Sequence, residues 1–323
     1  MTIIIGAGMA GLLAAAMLRT DCKVILEAAP SLPNNHSALL RFRSDIVGNT
    51  IGVPFKPVNV MKSVIPWRGL VADALAYSKK STGTYALRSS LSATGELETR
   101  FIAPPDLVQL LYDRRPVEVL FDYAADRSLA ARVADSEPII STMPMPALME
   151  LLGWEDKPEF RYCDGLNISV ELDPSIDLYI TLYVPNPERE FGRVSITGNK
   201  LVIECPKPGW LPEDVAALQE SMAGESCTGG VRKLLYDALY LFGIDPKCAI
   251  GTPEVKRQRY AKILPIDERL RKKFMMWATD KFSIYSLGRF ATWRPGLLLD
   301  DVVNDVRVIQ GMISNGNYQH RKG

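Results

Sequence analysis

Histidine is almost missing from this 323-residue chain, with two copies. The five cysteines, Cys22, Cys163, Cys205, Cys227 and Cys248, are odd in number, scattered and never arranged as Cys-x-x-Cys. These shortages argue against a metal centre and against a disulfide framework, and reduced thiols are expected. A surplus of charge is also missing: 38 Lys and Arg against 37 Asp and Glu leave a formal +1. That balance argues against a broad nucleic-acid-binding surface while leaving room for a local basic groove. No apolar run reaches the roughly 18 residues of a membrane span. The apolar N-terminus lacks the basic leader and cleavage site of a secretory signal, and Gly6 interrupts it early. The expectation is a soluble, cytoplasmic protein with no membrane contact. There is no internal repeat and no low-complexity segment, and the length predicts two domains or one large one.

What is present is concentrated at the start. Gly6, Gly8 and Gly11 lie in Thr2-Ile-Ile-Ile-Gly-Ala-Gly-Met-Ala-Gly11, where an apolar strand must turn sharply into an Ala/Leu/Met helix. The first glycine permits the turn, the second lets a pyrophosphate approach bare backbone, and the third lets the helix pack closely on the sheet. Met9 and Ala10 then open the helix whose N-terminus faces the phosphates. Glu27 ends the next apolar strand, about 20 residues on, where a carboxylate accepts a ribose hydroxyl. The rival reading is a glycine-rich turn without a ligand, and the glycine motif alone admits NAD as well as FAD.

Residues 2–5 and 23–27 read as parallel strands around a helix over 9–19. From Pro30 to Val60 the text is Pro/Asn/Ser-rich and aperiodic, and a loop over the cofactor is predicted. A helix over 105–114, a strand over 117–121, a buried strand within 138–146 and a helix over 147–152 bring the chain back to the first domain. Three alternating segments, 166–171, 178–184 and 193–205, predict an antiparallel sheet. Helices over 212–222 and 230–242, a basic strand over 255–264, a charged helix over 267–279, a strand over 283–287 and a closing helix over 298–313 complete the reading. The fold class is therefore α/β: a Rossmann-like nucleotide-binding domain, discontinuous over 1–60, 115–155 and 255–323. The second, α+β substrate domain, over 61–114 and 156–254, is built on an antiparallel sheet.

Three stretches together resemble the flavin-dependent group that includes monoamine oxidases, protoporphyrinogen oxidase and UDP-galactopyranose mutase. They are the glycine triplet with Glu27, the run Ile139-Ile-Ser-Thr-Met-Pro-Met-Pro-Ala-Leu148, and the tail Ile284-Tyr-Ser-Leu-Gly-Arg-Phe-Ala-Thr-Trp-Arg-Pro-Gly-Leu-Leu-Leu-Asp-Asp-Val-Val303. Lys262-Ile-Leu-Pro-Ile266 is similar to the mutase's approach to that tail. The resemblance implies FAD as cofactor, with Thr142 in the crossing beside the flavin. It also implies Gly288, Arg289, Asp300 and Asp301 at the flavin, Asp301 lying at the start of a helix whose dipole faces the cofactor. The chain departs from the group after Glu27, where Pro30-Ser-Leu-Pro-Asn-Asn-His36 replaces a paired-glycine turn, and at Pro295, where the mutase carries a tyrosine. Compact flavoproteins with a tail of this kind resemble enzymes encoded by bacteriophages that hypermodify thymine in DNA. There a flavin enzyme oxidises an amino acid attached to the base.

The resemblance gives Arg193, in Phe191-Gly-Arg-Val, and Arg289 as binders of a substrate phosphate or carboxylate, since a guanidinium fork reaches two oxygens at once. Arg41 and Arg43 are further candidates, and a structural or surface role is the alternative for each. His36 is a candidate to tune a proton at the flavin or is an exposed loop histidine, whereas His320 belongs to a polar tail. Trp67 and Trp293 either stack on a ring or pack in the core. Lys256–Arg259 and Arg269–Lys273 either track a nucleic-acid backbone or are solvated faces partly neutralised by neighbouring acids. The favoured expectation is an FAD-dependent oxidoreductase or lyase acting on a C–N bond of an amino-acid-type substrate, small molecule or modified nucleotide, with DNA a further partner. The alternatives are a redox-neutral sugar-nucleotide mutase and a non-catalytic nucleotide-binding module.

Overall fold

The computed structural model describes residues 1–32, 41–85, 95–115, 117–123, 137–206 and 230–315. Strand β1 (Thr2–Ile5) turns into α1 (Met9–Leu18) and returns as β2 (Cys22–Leu26). Then follow β3 (Arg41–Phe42), α2 (Ile46–Ile51), β4 (Lys56–Val64), α3 (Leu70–Thr82), β5 (Leu97–Ile102), α4 (Leu107–Asp113) and β6 (Val119–Leu120). The chain continues through β7 (Ile139–Ser141), α5 (Met145–Leu151), β8 (Tyr162–Leu172), β9 (Leu178–Tyr183), β10 (Arg193–Gly198) and β11 (Lys200–Pro206). It closes with α6 (Val231–Phe242), β12 (Ala249–Ile263), α7 (Glu268–Phe282), β13 (Ile284–Ser286) and α8 (Leu299–Ser314).

Five strands form a parallel sheet in the order β13-β7-β1-β2-β6, the doubly wound arrangement expected for a dinucleotide domain. Thr2 to Ile5 are all buried because helices cover both faces of such a sheet. One face packs on α1, α4 and α8 through residues such as Leu12, Leu111 and Val303. The other packs on α5 and α7 through Met145, Leu148 and Phe274. Helix α1 has no charged residue on any side, which fits its enclosure between the sheet and two helices.

The second sheet has eight strands in the order β12-β8-β11-β10-β9-β4-β5-β3, antiparallel except where β4 runs parallel to β9. Its apolar face, with Leu166, Ile168, Val194, Ile196 and Ile203, covers α6. The predicted third segment, 193–205, is a hairpin turned at Gly198 (φ +63) rather than one strand. Residues 30–60 also differ from the predicted loop: β3, α2 and the first half of β4 lie there. The alternation Val58, Val60 was masked by the prolines around it and by the shortness of α2. Strands β3 and β4 thus pair into the second sheet, although residues up to 60 were expected in the nucleotide domain. Helix α4, expected with the substrate domain, packs on the nucleotide domain. The helix expected over 212–222 lies outside the described residues.

The second sheet curls so that its last strand, β3, faces the strands at its middle, β9 and β10. Arg41, on the last strand, reaches across the concave side to Thr197 Oγ1 (2.8 Å), Thr181 Oγ1 (2.6 Å) and the carbonyl oxygens of Ile180 and Ile196. Replacing Arg41 with Met should therefore lower stability by roughly 2–4 kcal/mol in urea unfolding, because buried acceptors on two strands lose their donor together.

Candidate functional site

The glycine turn is built as its spacing requires. Gly6 has φ +100, and a Cβ there would fall 2.1 Å from Thr142 Oγ1. A Cβ on Gly11 would fall 1.9 Å from the Gly6 carbonyl oxygen. Gly8 is different: a Cβ there would meet nothing within 4 Å. No side chain caps α1, so the helix N-terminus at Gly8, Met9 and Ala10 presents bare backbone to open space. That is a cradle a phosphate fits, since amide donors and the positive end of the dipole converge there. The donor set suits the pyrophosphate of a dinucleotide.

Glu27 stands at the end of β2 with one carboxylate oxygen on Ala7 N–H (2.5 Å) and the other on Ala29 N–H (2.9 Å). It therefore holds the glycine turn against the next loop and keeps further lone pairs for a hydroxyl. Thr142 donates its hydroxyl to the Ile5 carbonyl oxygen (2.9 Å), clamping the end of β7 onto the end of β1 at Gly6. Gly288 (φ +90) begins the turn after β13 and comes within 3.1 Å of Ala10 Cβ, measured from its own added Cβ. The final motif thus lies against the first. Arg289 is half-buried in that turn, its guanidinium 5.7 Å from the Phe290 ring centre.

Asp300 and Asp301 open α8. Asp300 is buried and accepts from the Ser44 amide and hydroxyl (both 3.0 Å). Asp301 accepts from the Leu298 amide (2.8 Å) and from Arg43 (2.8 Å). Both carboxylates thereby tie the segment 43–44 to the start of α8, one turn after Gly288 approaches α1. Arg43 is engaged there, and Arg41, two residues earlier, lies on the concave face of the curled sheet.

That concave face carries the charges. Register places Arg193, Ser195 and Thr197 of β10 beside Glu204 of β11 and Tyr183 and Thr181 of β9, all opposite the apolar face. Arg41, Lys62, Arg100, Arg193 and Lys262 gather there against Glu98 and Glu204. Glu204 pairs with Arg193 and, at 3.4 Å, with Lys262. Glu98 pairs with Arg100 and, at 2.5 Å, with Lys62. Burial pushes the Glu204 carboxyl up, and the Arg193 and Lys262 charges overcome it, leaving it at about 2. Burial works against the Arg193 charge as well, and Glu204 reverses that shift and raises its pKa. Arg41 is lowered to about 10, by burial first and then by the neighbouring charges of Arg193 and Arg100. Five cations against two carboxylates leave this face positive. Helix α3 borders it, with Tyr77 edge-on to Tyr183 at 5.4 Å.

The sequence-derived candidates fall into three groups. The structure brings together Gly6, Gly8, Met9, Ala10, Gly11, Glu27, Thr142 and Gly288 at the carboxyl ends of β1, β2, β7 and β13. Arg289 follows in the same turn, with Asp300 and Asp301 at the adjoining helix start. Arg193 stands apart, on the curled sheet with Arg41. His36 and His320 lie outside the described residues. Trp293 is a core residue, 1 % exposed, with its indole N–H on the Leu264 carbonyl oxygen (2.9 Å). Trp67 carries the Arg68 guanidinium 4.2 Å from its ring centre. In the basic stretches, Lys256 pairs with Glu254, Arg257 with Asp164, Lys272 with Glu268 and Lys273 with Asp156. Their charge is largely neutralised in place. Glu204, Glu98, Lys62, Arg100, Thr181 and Thr197 escaped the sequence reading. Their only signal was period-2 polarity opposite apolar residues, which reads as a solvated face until the sheet is seen to curl. Among the described residues no group of His, Cys, Asp and Glu could hold a metal, and no helix is long and apolar enough to cross a membrane.

The sequence matches no known family profile and no curated protein. In fold, the chain is similar to reduced UDP-galactopyranose mutase, with a TM-score of 0.64 at 14 % identity over 98 % of this chain and 94 % of that one. It is also similar to p-nitrophenol 4-monooxygenase PnpA from Pseudomonas putida DLL-E4, with a TM-score of 0.54 at 11 % identity over 98 % and 80 % of the two chains. For 2-methyl-3-hydroxypyridine-5-carboxylic acid oxygenase the TM-score is 0.51 at 13 % identity over 96 % and 82 %. The architecture is therefore that of the resembled group: a Rossmann-like domain carrying a second, mostly antiparallel sheet.

Proposed function

We propose that the chain is an FAD-dependent oxidoreductase that anchors an anionic group of its substrate on the curled sheet and oxidises a carbon–nitrogen bond of an amino-acid-type molecule. The observation that carries this reading is the meeting at residues 41–44. Arg41 lies on the positive concave face, and Ser44 is bonded to Asp300 at the start of α8. An anion-binding face thus opens next to the elements that would hold a dinucleotide.

In this reading the FAD pyrophosphate rests on the amides of Gly8, Met9 and Ala10, and Glu27 takes a ribose hydroxyl. The starts of α8 and of the Gly288 turn border the rest of the cofactor. Bound FAD supplies the acceptor for two electrons and a hydrogen. The chain itself binds and orients. Arg193 and Lys262 offer donors to a carboxylate or phosphate. Glu204 holds those two cations in place and lowers the charge an anion must neutralise. The same guanidinium groups suit a sugar-nucleotide diphosphate, which favours the mutase as second reading.

The test is anaerobic mixing of the FAD-loaded protein with amino acids, with amino-acid-substituted thymidine and with UDP-galactopyranose. Bleaching of the flavin by an amino-acid-type compound without added reductant is the expected result. Turnover of UDP-galactopyranose only after prior reduction, with the flavin left reduced, would replace it with the mutase. FAD bound in full, with no turnover of any compound in either redox state, would leave a binding module.

A further inference from the structure

Helix α3 docks on the strand pair that carries Arg193. Lys80 reaches from α3 into the connection between β9 and β10, where its ammonium group donates to the carbonyl oxygens of Val184 (3.2 Å), Asn186 (2.7 Å) and Phe191 (2.7 Å). An ammonium has three N–H donors and no acceptor, so this geometry uses all of them. The acceptors belong to both ends of the connection. Val184 follows Tyr183, which pairs with Arg193 in register, and Phe191 stands two residues before Arg193. The same ends are closed on each other by the Val184 amide on the Gly192 carbonyl oxygen (2.8 Å), and the Gly192 amide donates to the Glu204 carbonyl oxygen (2.9 Å). Tyr77, three residues before Lys80 on α3, packs edge-on against Tyr183, and a Cβ on Gly192 would come 3.7 Å from its ring.

Burial works against the Lys80 charge, pulling its pKa down to about 8. A buried charge of this kind adds little to net stability where an apolar side chain could fill the space. What an apolar side chain does not supply is a single meeting point for three carbonyl oxygens. Arg193 is the first residue of β10 and lies opposite Glu204 of β11, so its place depends on the connection that delivers it. A binding side chain is only as well placed as the groups that lock the backbone beneath it.

We propose that Lys80 is a positioning residue for the anion site: by gathering the three carbonyl oxygens it sets where β10 starts, and so where the Arg193 guanidinium stands. This rests on the reading above that Arg193 binds the anionic group of the substrate. Sulfate is the probe, titrated calorimetrically at neutral pH into FAD-saturated protein so that the glycine turn is already filled. Arg193→Gln should weaken sulfate about tenfold or more, the worth of one charge-assisted hydrogen bond, and Lys80→Met about tenfold. The double variant should bind within about twofold of Arg193→Gln alone, because a residue acting through Arg193 has nothing left to act on. FAD affinity should be the same in all four proteins. If Lys80→Met does not fold by circular dichroism, Lys80→Gln, which keeps an N–H donor, carries the same cycle. Losses that multiply in the double variant would mean that Lys80 supports the fold at large and would overturn the proposal. A Lys80→Met protein that binds sulfate as the wild type does would overturn it too, and in both cases Arg193 stays the anion site. No sulfate bound by the wild type, or equal binding by Arg193→Gln, would remove the anion site itself and the role of Lys80 with it.

Discussion

Gly8→Val should leave the protein folded and strip it of flavin, weakening FAD by roughly 100-fold or more, equivalent to about 2.7 kcal/mol. The reason is local. Gly8 has φ −69 and ψ 174, a backbone conformation open to valine, and beyond its chain neighbours no protein atom lies within 4 Å of an added Cβ. Whatever that space is for, it is not needed for packing. A branched side chain there would occupy the place where a pyrophosphate meets bare amides. Gly11→Ala supplies the contrast. Its Cβ would stand 1.9 Å from the Gly6 carbonyl oxygen, a backbone atom that cannot swing aside as a side chain would, so helix α1 would have to move off the sheet. That variant should lose at least roughly 3 kcal/mol of stability. Flavin absorbance after gel filtration and urea unfolding of both proteins separate the two effects. A Gly8→Val protein that retains stoichiometric FAD would remove the phosphate cradle from the account.

Glu204→Gln should destabilise the protein by about 3 kcal/mol at neutral pH, with a defined pH dependence. Glu204 sits near 2 in the folded protein against an ordinary 4.5 because Arg193 and Lys262 outweigh its burial. A depressed folded value means that the stabilisation is fully present above the unfolded value. It is lost as the pH falls from about 4.5 toward 2. The difference in unfolding free energy between wild type and variant should therefore be flat from pH 7 to 5 and shrink below it. Every other carboxylate titrates in both proteins, so the difference isolates this one. A difference independent of pH would mean that Glu204 acts through packing instead of charge. Because the variant leaves Arg193 and Lys262 facing each other without the negative charge between them, unfolding should show the loss.

How far the sequence was legible depended on whether a residue's partners were near in the chain. The Gly6-Gly8-Gly11 turn, α1 and β2 are a local unit. The positive φ of Gly6 and the close approach of Gly11 to the Gly6 carbonyl oxygen are set within a dozen residues, so spacing alone specified the turn and its phosphate-facing helix. The continuous apolar runs at Thr2–Ile5 and Ile139–Ser141 likewise specified buried parallel strands. The parallel sheet and the existence of a second, largely antiparallel one were thus written in the sequence, as was the absence of charge excess and of Cys-x-x-Cys spacing. Tertiary structure alone decided the rest. Strand β3 is too short to carry a period, and Arg41 reaches residues 156, 155, 140 and 139 positions away. Glu204 meets Arg193 across a hairpin and Lys262 from a strand 58 positions on. The resemblance placed Asp300 and Asp301 at the flavin, and the fold adds that they bind the 43–44 segment. Curling the second sheet turns an alternating polar face, which in sequence reads as solvated, into a concave, cation-lined surface. Side-chain charge is local to the chain, but the electrostatic environment that gives it a role is created by strands distant in sequence.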